Sequence, residues 1–240
     1  IQSTVSKAKA SVDAYKAKAS TSTPAPSTPV NQYTLERLAK YPKGTARAGQ
    51  YLKSRSNLAI ILEHDDAYAD KIKYNSFKNR IEYGDQILHD RHITAIALEI
   101  ERAYGLAYAI AMIENTVVYQ AHQNTYHPVQ NYLMALPQNN TTILDDWLHL
   151  AFGTPNDELH KAIGRKWAIG AAKRIVMPGV FVKNMLILEG AQNVGKSSAI
   201  KILAKNPLWY RDTPFNIRRD DARDAYTKIR GAWLYELPEM

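Results

Sequence analysis

Apolar residues in the first half of the chain recur at helical spacing. In "DRHITAIALEIERAYG" they fall at i, i+3 and i+4, and the positions between are mostly helix formers. "YAIAMIENTVVYQAHQN" repeats the pattern, with Gly105 as the break between the two. "YTLERLAKY" predicts a short amphipathic helix, and "RSNLAIILEHDDAYADKI" a longer one from about Asn57 to Lys71. His127-Pro128 opens another short helix, "HPVQNYLMALP", which the polar loop "QNNTT" follows. "ILDDWLHLAFG" and "NDELHKAIGRKWAIGAAKRIV" complete the set. Asn156 or Asp157 caps the last helix, and "MPG" ends it. Its Leu159, Ile163, Trp167 and Ile175 form an apolar stripe that reads as core. Lys161, Arg165, Lys166, Lys173 and Arg174 read as its solvated face. Everything before residue 180 is therefore expected to be mainly helical.

From Val180 the pattern changes to strand, Gly-rich loop, helix, which makes the fold class α/β. The apolar run Met185 to Leu188 is the expected strand, and an Ala/Ile/Leu-rich segment is the expected helix. Between them Gly190, Ala191, Gln192, Asn193, Val194, Gly195, Lys196 and Ser197 fit G-x-x-x-x-G-K-[ST], with Ser198 directly behind. The two glycines allow backbone conformations and close approach that a β-carbon would block. Loop N–H groups then point at phosphate oxygens, at the positive end of the following helix. Lys196 is expected against the β and γ phosphates of ATP, and the Ser197 hydroxyl on Mg²⁺.

Such a loop needs a carboxylate at the end of a neighbouring strand, to hold the metal and polarise water. "GAWLYELPEM" supplies it: Ala232 to Tyr235 suits a buried parallel strand, and Glu236 and Glu239 follow. Glu236 is the candidate for both metal and catalysis, and Glu239 a second candidate for catalysis. Between loop and strand, Asp212 and "RRDDARD" read as solvated surface. Arg218, Arg219 and Arg223 would sense a γ-phosphate only if a neighbouring subunit brought them to it.

Composition narrows the picture. Residues 1 to 30 hold 23 Ser, Thr, Ala, Lys or Pro, too little apolar surface to offset ordering entropy. The expected organisation is a linker at 1–32, a helical module at 33–155 and a partial P-loop core at 156–240. Net charge is +8 but uneven. Residues 1–50 carry +6, residues 51–150 carry −4 and residues 151–240 carry +6, an asymmetry suited to a polyanion such as nucleic acid. There is no cysteine, hence no disulfide, thiolate metal site or cysteine nucleophile. His122 and His127 lie in "HQNTYH" without other ligands nearby and read as ordinary loop histidines. No apolar run reaches the roughly 18 residues of a membrane span.

"HPVQNYL", "LDDWL", "KAIGRKWAIGAAKRIVMPG", "MLILEGAQNVGKSSAIKILA", "WYRDT" and "GAWLYELPE" occur in an order that resembles the virulence-associated protein E family. These are phage and mobile-element P-loop ATPases, similar to superfamily 3 helicases and often fused to primase domains. The resemblance covers about residues 50 to 240. It implies nucleotide and Mg²⁺ binding by Gly190, Gly195, Lys196 and Ser197, and a Walker B position at Glu236, with Glu239 as a second candidate. The family's usual Trp-Asp-Gly turn is replaced here by "QNNTTI". Its polar sensor residue, arginine finger and remaining strands are expected beyond Met240.

The implied function is the ATP-binding part of a helicase-type ATPase in DNA replication. It would act on single-stranded DNA, as a homo-oligomeric ring, with a primase domain upstream, in the cytoplasm of a bacterial host. Two alternatives remain at this stage. A truncated, non-catalytic product would bind DNA or join rings without turnover. A P-loop phosphotransferase would show a small-substrate lid and no DNA dependence.

Overall fold

The computed structural model describes residues 30–137, 143–214 and 221–237. It is a mixed α/β structure with nine α-helices and short strands among those residues. Residues 1–29 of the expected linker at 1–32 and the loop "QNNTT" lie outside them, while Asn31 and Gln32 already belong to the start of the first helix. The chain divides into a first unit, residues 1–73 and 81–124, and a second, residues 74–80 and 125–240.

In the first unit α1 (Gln32–Arg37) starts at Asn31, whose side chain accepts the Tyr33 N–H. α2 (Arg55–His64) starts at Ser54, whose hydroxyl oxygen accepts from Asn57 N at 3.2 Å. α3 (Asp90–Tyr104) ends at Gly105, in the left-handed conformation at φ 67°. α4 (Ile110–Gln123) follows. The spacing seen in the sequence is the spacing of the core: Leu58, Ile61 and Leu62 from α2, Ile93, Ile96 and Ile100 from α3, Ile113, Val117 and Ala121 from α4 are all buried. Asn57 is buried among them with its amide saturated. Its Oδ1 accepts from Ala39 N at 2.9 Å, and its Nδ2 donates to Ala39 O and Leu52 O, each at 2.8 Å.

Two expectations change here. The helix expected from Asn57 to Lys71 stops at His64. Asp65 ends it, because its carboxylate accepts both the Ala67 N–H at 2.8 Å and the Tyr104 hydroxyl, and its backbone turns extended. The chain then forms β1 (Ile72–Asn75), β2 (Arg80–Tyr83) and β3 (Gln86–Ile87), a stretch for which the mainly helical reading expected no strand. β2 and β3 pair antiparallel, Glu82 with Ile87 and Tyr83 with Gln86, around Gly84 at φ 59°.

In the second unit β4 (Thr125–Tyr126) runs parallel to the end of β1, in the register Tyr74–Thr125 and Asn75–Tyr126. α5 (Pro128–Ala135) begins at His127, whose Nδ1 accepts from Gln130 N at 3.1 Å, with Pro128 in the first turn. Burial lowers the His127 pKa, which keeps the cap neutral. α6 (Ile143–Phe152) and α7 (Glu158–Val176) pack together, and α7 is capped by Asp157 as expected. α8 (Lys196–Leu203), a 3₁₀ turn (Pro207–Trp209), β5 (Tyr210–Arg211), α9 (Ala222–Ile229) and β6 (Leu234–Tyr235) complete the unit. β5 and β6 are parallel, Tyr210 opposite Leu234 and Arg211 opposite Tyr235.

The face α7 buries is only partly the predicted stripe: Ile175 is buried and Trp167 half-buried, but the other two positions are not. Leu159 is 65% and Ile163 40% exposed; the buried residues are Gly164, Gly170 and Ile175. A β-carbon on Gly164 would lie 2.7 Å from Trp147 Nε1, and one on Gly170 2.9 Å from Val182 Cγ1. The glycines let neighbouring side chains reach the helix backbone, a contact that no hydrophobic pattern records. Arg165 on the outer face pairs with Asp145 through two contacts of 2.6 Å.

Two small cores lie behind this layer. Val129, Ile175 and Trp209 form one, and Ala204, Tyr210 and Leu234 the other, with Trp233 packed against both. The Trp233 indole donates to Ala171 O at 3.1 Å, tying the start of β6 to α7. Among the described residues no helix is long and apolar enough to cross a membrane.

Candidate functional site

The loop that carries the glycine-lysine-serine pattern sits at the start of α8. Gly190 has φ 154°, Asn193 61° and Gly195 88°, and Lys196 is the first helical residue. A side chain at Gly195 would be strained by the left-handed backbone itself. Ala191, Gln192, Asn193 and Val194 face solvent, as do Ser197 and Ser198. The Lys196 ammonium folds back over the loop, donating to Gly190 O at 2.8 Å and Ala191 O at 2.7 Å.

Met185 to Leu188 leads into this loop in the alternating manner of a strand: Met185 and Ile187 are exposed, Leu186 and Leu188 half-buried. It pairs with no other strand among the described residues, however, so the expected β-strand is not formed there. A strand exists only through a hydrogen-bonded neighbour, and the described partner of β6 is β5.

Glu236 lies one residue past β6. Its backbone N–H donates to Arg211 O at 2.8 Å, which extends the β5–β6 register and fixes where the side chain starts. The Ser197 hydroxyl donates to Glu236 Oε1 at 2.5 Å, across 39 positions of sequence. Two residues chosen from separate motifs thus meet side chain to side chain. The other carboxylate oxygen accepts from the Tyr210 hydroxyl. Tyr210 is buried on β5, and burial first, then Glu236 and Asp212, raise its pKa.

A cleft of about 380 Å³ opens beside these groups. Met185 to Leu188, Ile200 and Leu237 give it an apolar wall, Trp167 also lines it, and Glu189, Lys196 and Glu236 bring charge to it. Trp167, expected in the core, is therefore partly a cleft residue; its ring lies 5.4 Å from that of Trp147. Asp212 is surface, as expected, in a 3.6 Å pair with Lys201. Glu239, Arg218, Arg219 and the side chain of Arg223 lie outside the described residues.

Sequence reasoning missed Tyr210 and the cleft-facing role of Trp167. "WYRDT" drew attention only as part of a family pattern, because the contact of Tyr210 depends on the register with β6.

Residues 133–240 match the family model of the virulence-associated protein E-like domain. The match supports the virulence-associated protein E family. It covers the loop, α8, Tyr210 and Glu236, all in the second unit, and is narrower than the span of about 50–240 expected from the motifs. No curated protein matches the chain.

Proposed function

We propose that the second unit binds Mg²⁺-ATP and forms part of a helicase-type ATPase of a phage or mobile element, working on single-stranded DNA in replication. The observation that carries this reading is the contact between Ser197 and Glu236. It joins the last residue of a phosphate-loop pattern to an acidic residue at the end of a parallel strand.

The residues suit such a ligand chemically. A hydroxyl and a carboxylate side by side are the hard oxygen donors that Mg²⁺ takes. The Lys196 ammonium is already placed over the loop, and its two carbonyl partners can be exchanged for phosphate oxygens. Gly195 opens α8 without a side-chain cap among the described residues, and the first N–H groups of a helix favour anions. When bound, Mg²⁺ supplies charge neutralisation across the phosphates. Lys196 then holds the terminal phosphates, Ser197 and Glu236 hold the metal side, and the apolar wall of the cleft keeps water from part of the ligand. Glu239 is proposed as the second carboxylate of the site.

Beyond the site, a homo-oligomeric ring, a primase domain upstream and residence in the cytoplasm of a bacterial host belong to the same reading. The uneven charge of the chain supports a nucleic-acid partner.

The test is binding of a fluorescent ATP analogue to this chain and to Lys196→Ala. The substitution should weaken binding about 10- to 100-fold, as loss of ~1.5–3 kcal/mol of charge-assisted hydrogen bonding implies. Equal affinity of the two proteins would remove Lys196 from the site and the nucleotide reading with it. Single-stranded DNA added to an ATPase assay then separates a DNA-driven motor, whose turnover rises, from a phosphotransferase, whose turnover does not.

A further inference from the structure

We propose that Tyr210 is a positioning residue of this site: its hydroxyl holds Oε2 of Glu236 and so presents Oε1 to Ser197 and the metal side. The inference rests on the nucleotide reading above.

The Glu236 backbone is fixed through Arg211, but its side chain retains rotamers that the main chain does not choose. Among the described residues two hydroxyls hold the carboxylate, those of Ser197 and Tyr210. They differ in permanence. Ser197 is exposed and can exchange Glu236 for another partner. Tyr210 is 5% exposed, lies in a small core with Ala204 and Leu234, and is held in register by the β5–β6 ladder. With Oε2 committed to Tyr210, Oε1 is the oxygen that faces the Ser197 hydroxyl. This assigns Glu236 to metal holding rather than to proton abstraction from water, and leaves the base to a different carboxylate.

Tyr210→Phe deletes the hydroxyl and keeps the ring. Binding of a fluorescent ATP analogue would be titrated with Mg²⁺ and, separately, measured in EDTA. The half-saturating Mg²⁺ concentration should rise about 10-fold, the usual effect of removing a partner that orients a metal ligand. Metal-free affinity should stay unchanged. An unchanged Mg²⁺ requirement overturns the proposal, and so does an equal loss with and without metal, which marks a packing role only. If the unsubstituted protein binds no nucleotide under either condition, the reading of the site itself fails, and the role of Tyr210 with it. Should Tyr210→Phe not fold, 3-fluorotyrosine placed at position 210 gives a second measure. Its ¹⁹F resonance should move when Mg²⁺ joins the nucleotide and stay still on nucleotide alone in EDTA; a resonance that ignores Mg²⁺ overturns the proposal.

Discussion

The first unit seals Leu58, Ile61, Ile96, Ile100, Ile113 and Val117 from solvent completely, whereas the second leaves Leu150, Leu159, Phe181 and Ile202 between 65% and 78% exposed. Both are built largely of helices, so helix content does not explain the difference. The first unit closes a largely aliphatic interior with helix side chains at i, i+3 and i+4, joined by Tyr68, Tyr104 and Tyr108. The second gathers its cohesion from glycine contacts, tryptophan rings and a few long-range hydrogen bonds, such as that from Trp233 to Ala171. It is also the unit that carries the candidate site. Side chains such as Lys196, Ser197 and Glu236 stay reachable because the layer around them is thin, and large exposed apolar areas are where proteins meet other molecules.

The comparison breaks most visibly in the first unit. Ile96→Ala removes a fully buried side chain and should destabilise by ~2–5 kcal/mol, read from urea unfolding followed by circular dichroism. A loss below about 1 kcal/mol would mean that this interior can collapse around a cavity, contrary to tight packing. Gly164→Ala should come next. Its methyl would lie 2.7 Å from Trp147 Nε1 and 3.1 Å from Leu148, so overpacking should cost ~1–3 kcal/mol despite the better helix propensity of alanine. A stabilised variant would show that the glycine face of α7 is not a close contact.

The smallest effect concerns pH. His127 caps α5 through an acceptor nitrogen, and burial lowers its pKa below the ordinary 6.5. Between that value and the folded pKa the unfolded chain binds the extra proton, so stability should fall as the pH drops through this window. His127→Asn keeps a cap acceptor without the titration and should flatten part of the decline in melting temperature between neutral and mildly acidic buffer. A residual slope is expected, since His92 in the first unit also has a lowered pKa, from burial and then Arg91 and His89. An unaltered slope would remove His127 from the pH response.

The same contrast governs what could be read from sequence. α3 and α4 were legible because their aliphatic residues repeat at the spacing of a helix face, and Gly105 marks the end of α3 with a left-handed turn. The hairpin β1–β3 was not, because "IKYN" and "RIEY" are short, polar and mixed in burial. The early stop of α2 depends on Tyr104, 39 residues away, donating to Asp65. In the second unit the loop at 190–197 announced itself through its glycines, and Glu236 through the apolar run before it. Of the buried face of α7 Ile175 was legible, but Gly164 and Gly170 were not, since glycine carries no hydrophobic signal. Nor was Tyr210, whose place beside Glu236 follows from pairing between segments more than 20 positions apart.

All four tryptophans of the chain, Trp147, Trp167, Trp209 and Trp233, belong to the second unit. Light at a wavelength that excites only indole therefore sees that unit and is blind to the other, although far-ultraviolet dichroism sees both. Any difference between the two signals during unfolding is then a direct record of one unit melting without its neighbour. Trp167 adds a second use, since it stands at the wall of the cleft next to Lys196. A molecule entering there changes the surroundings of one of four emitters, and the protein reports its own occupancy without an attached dye.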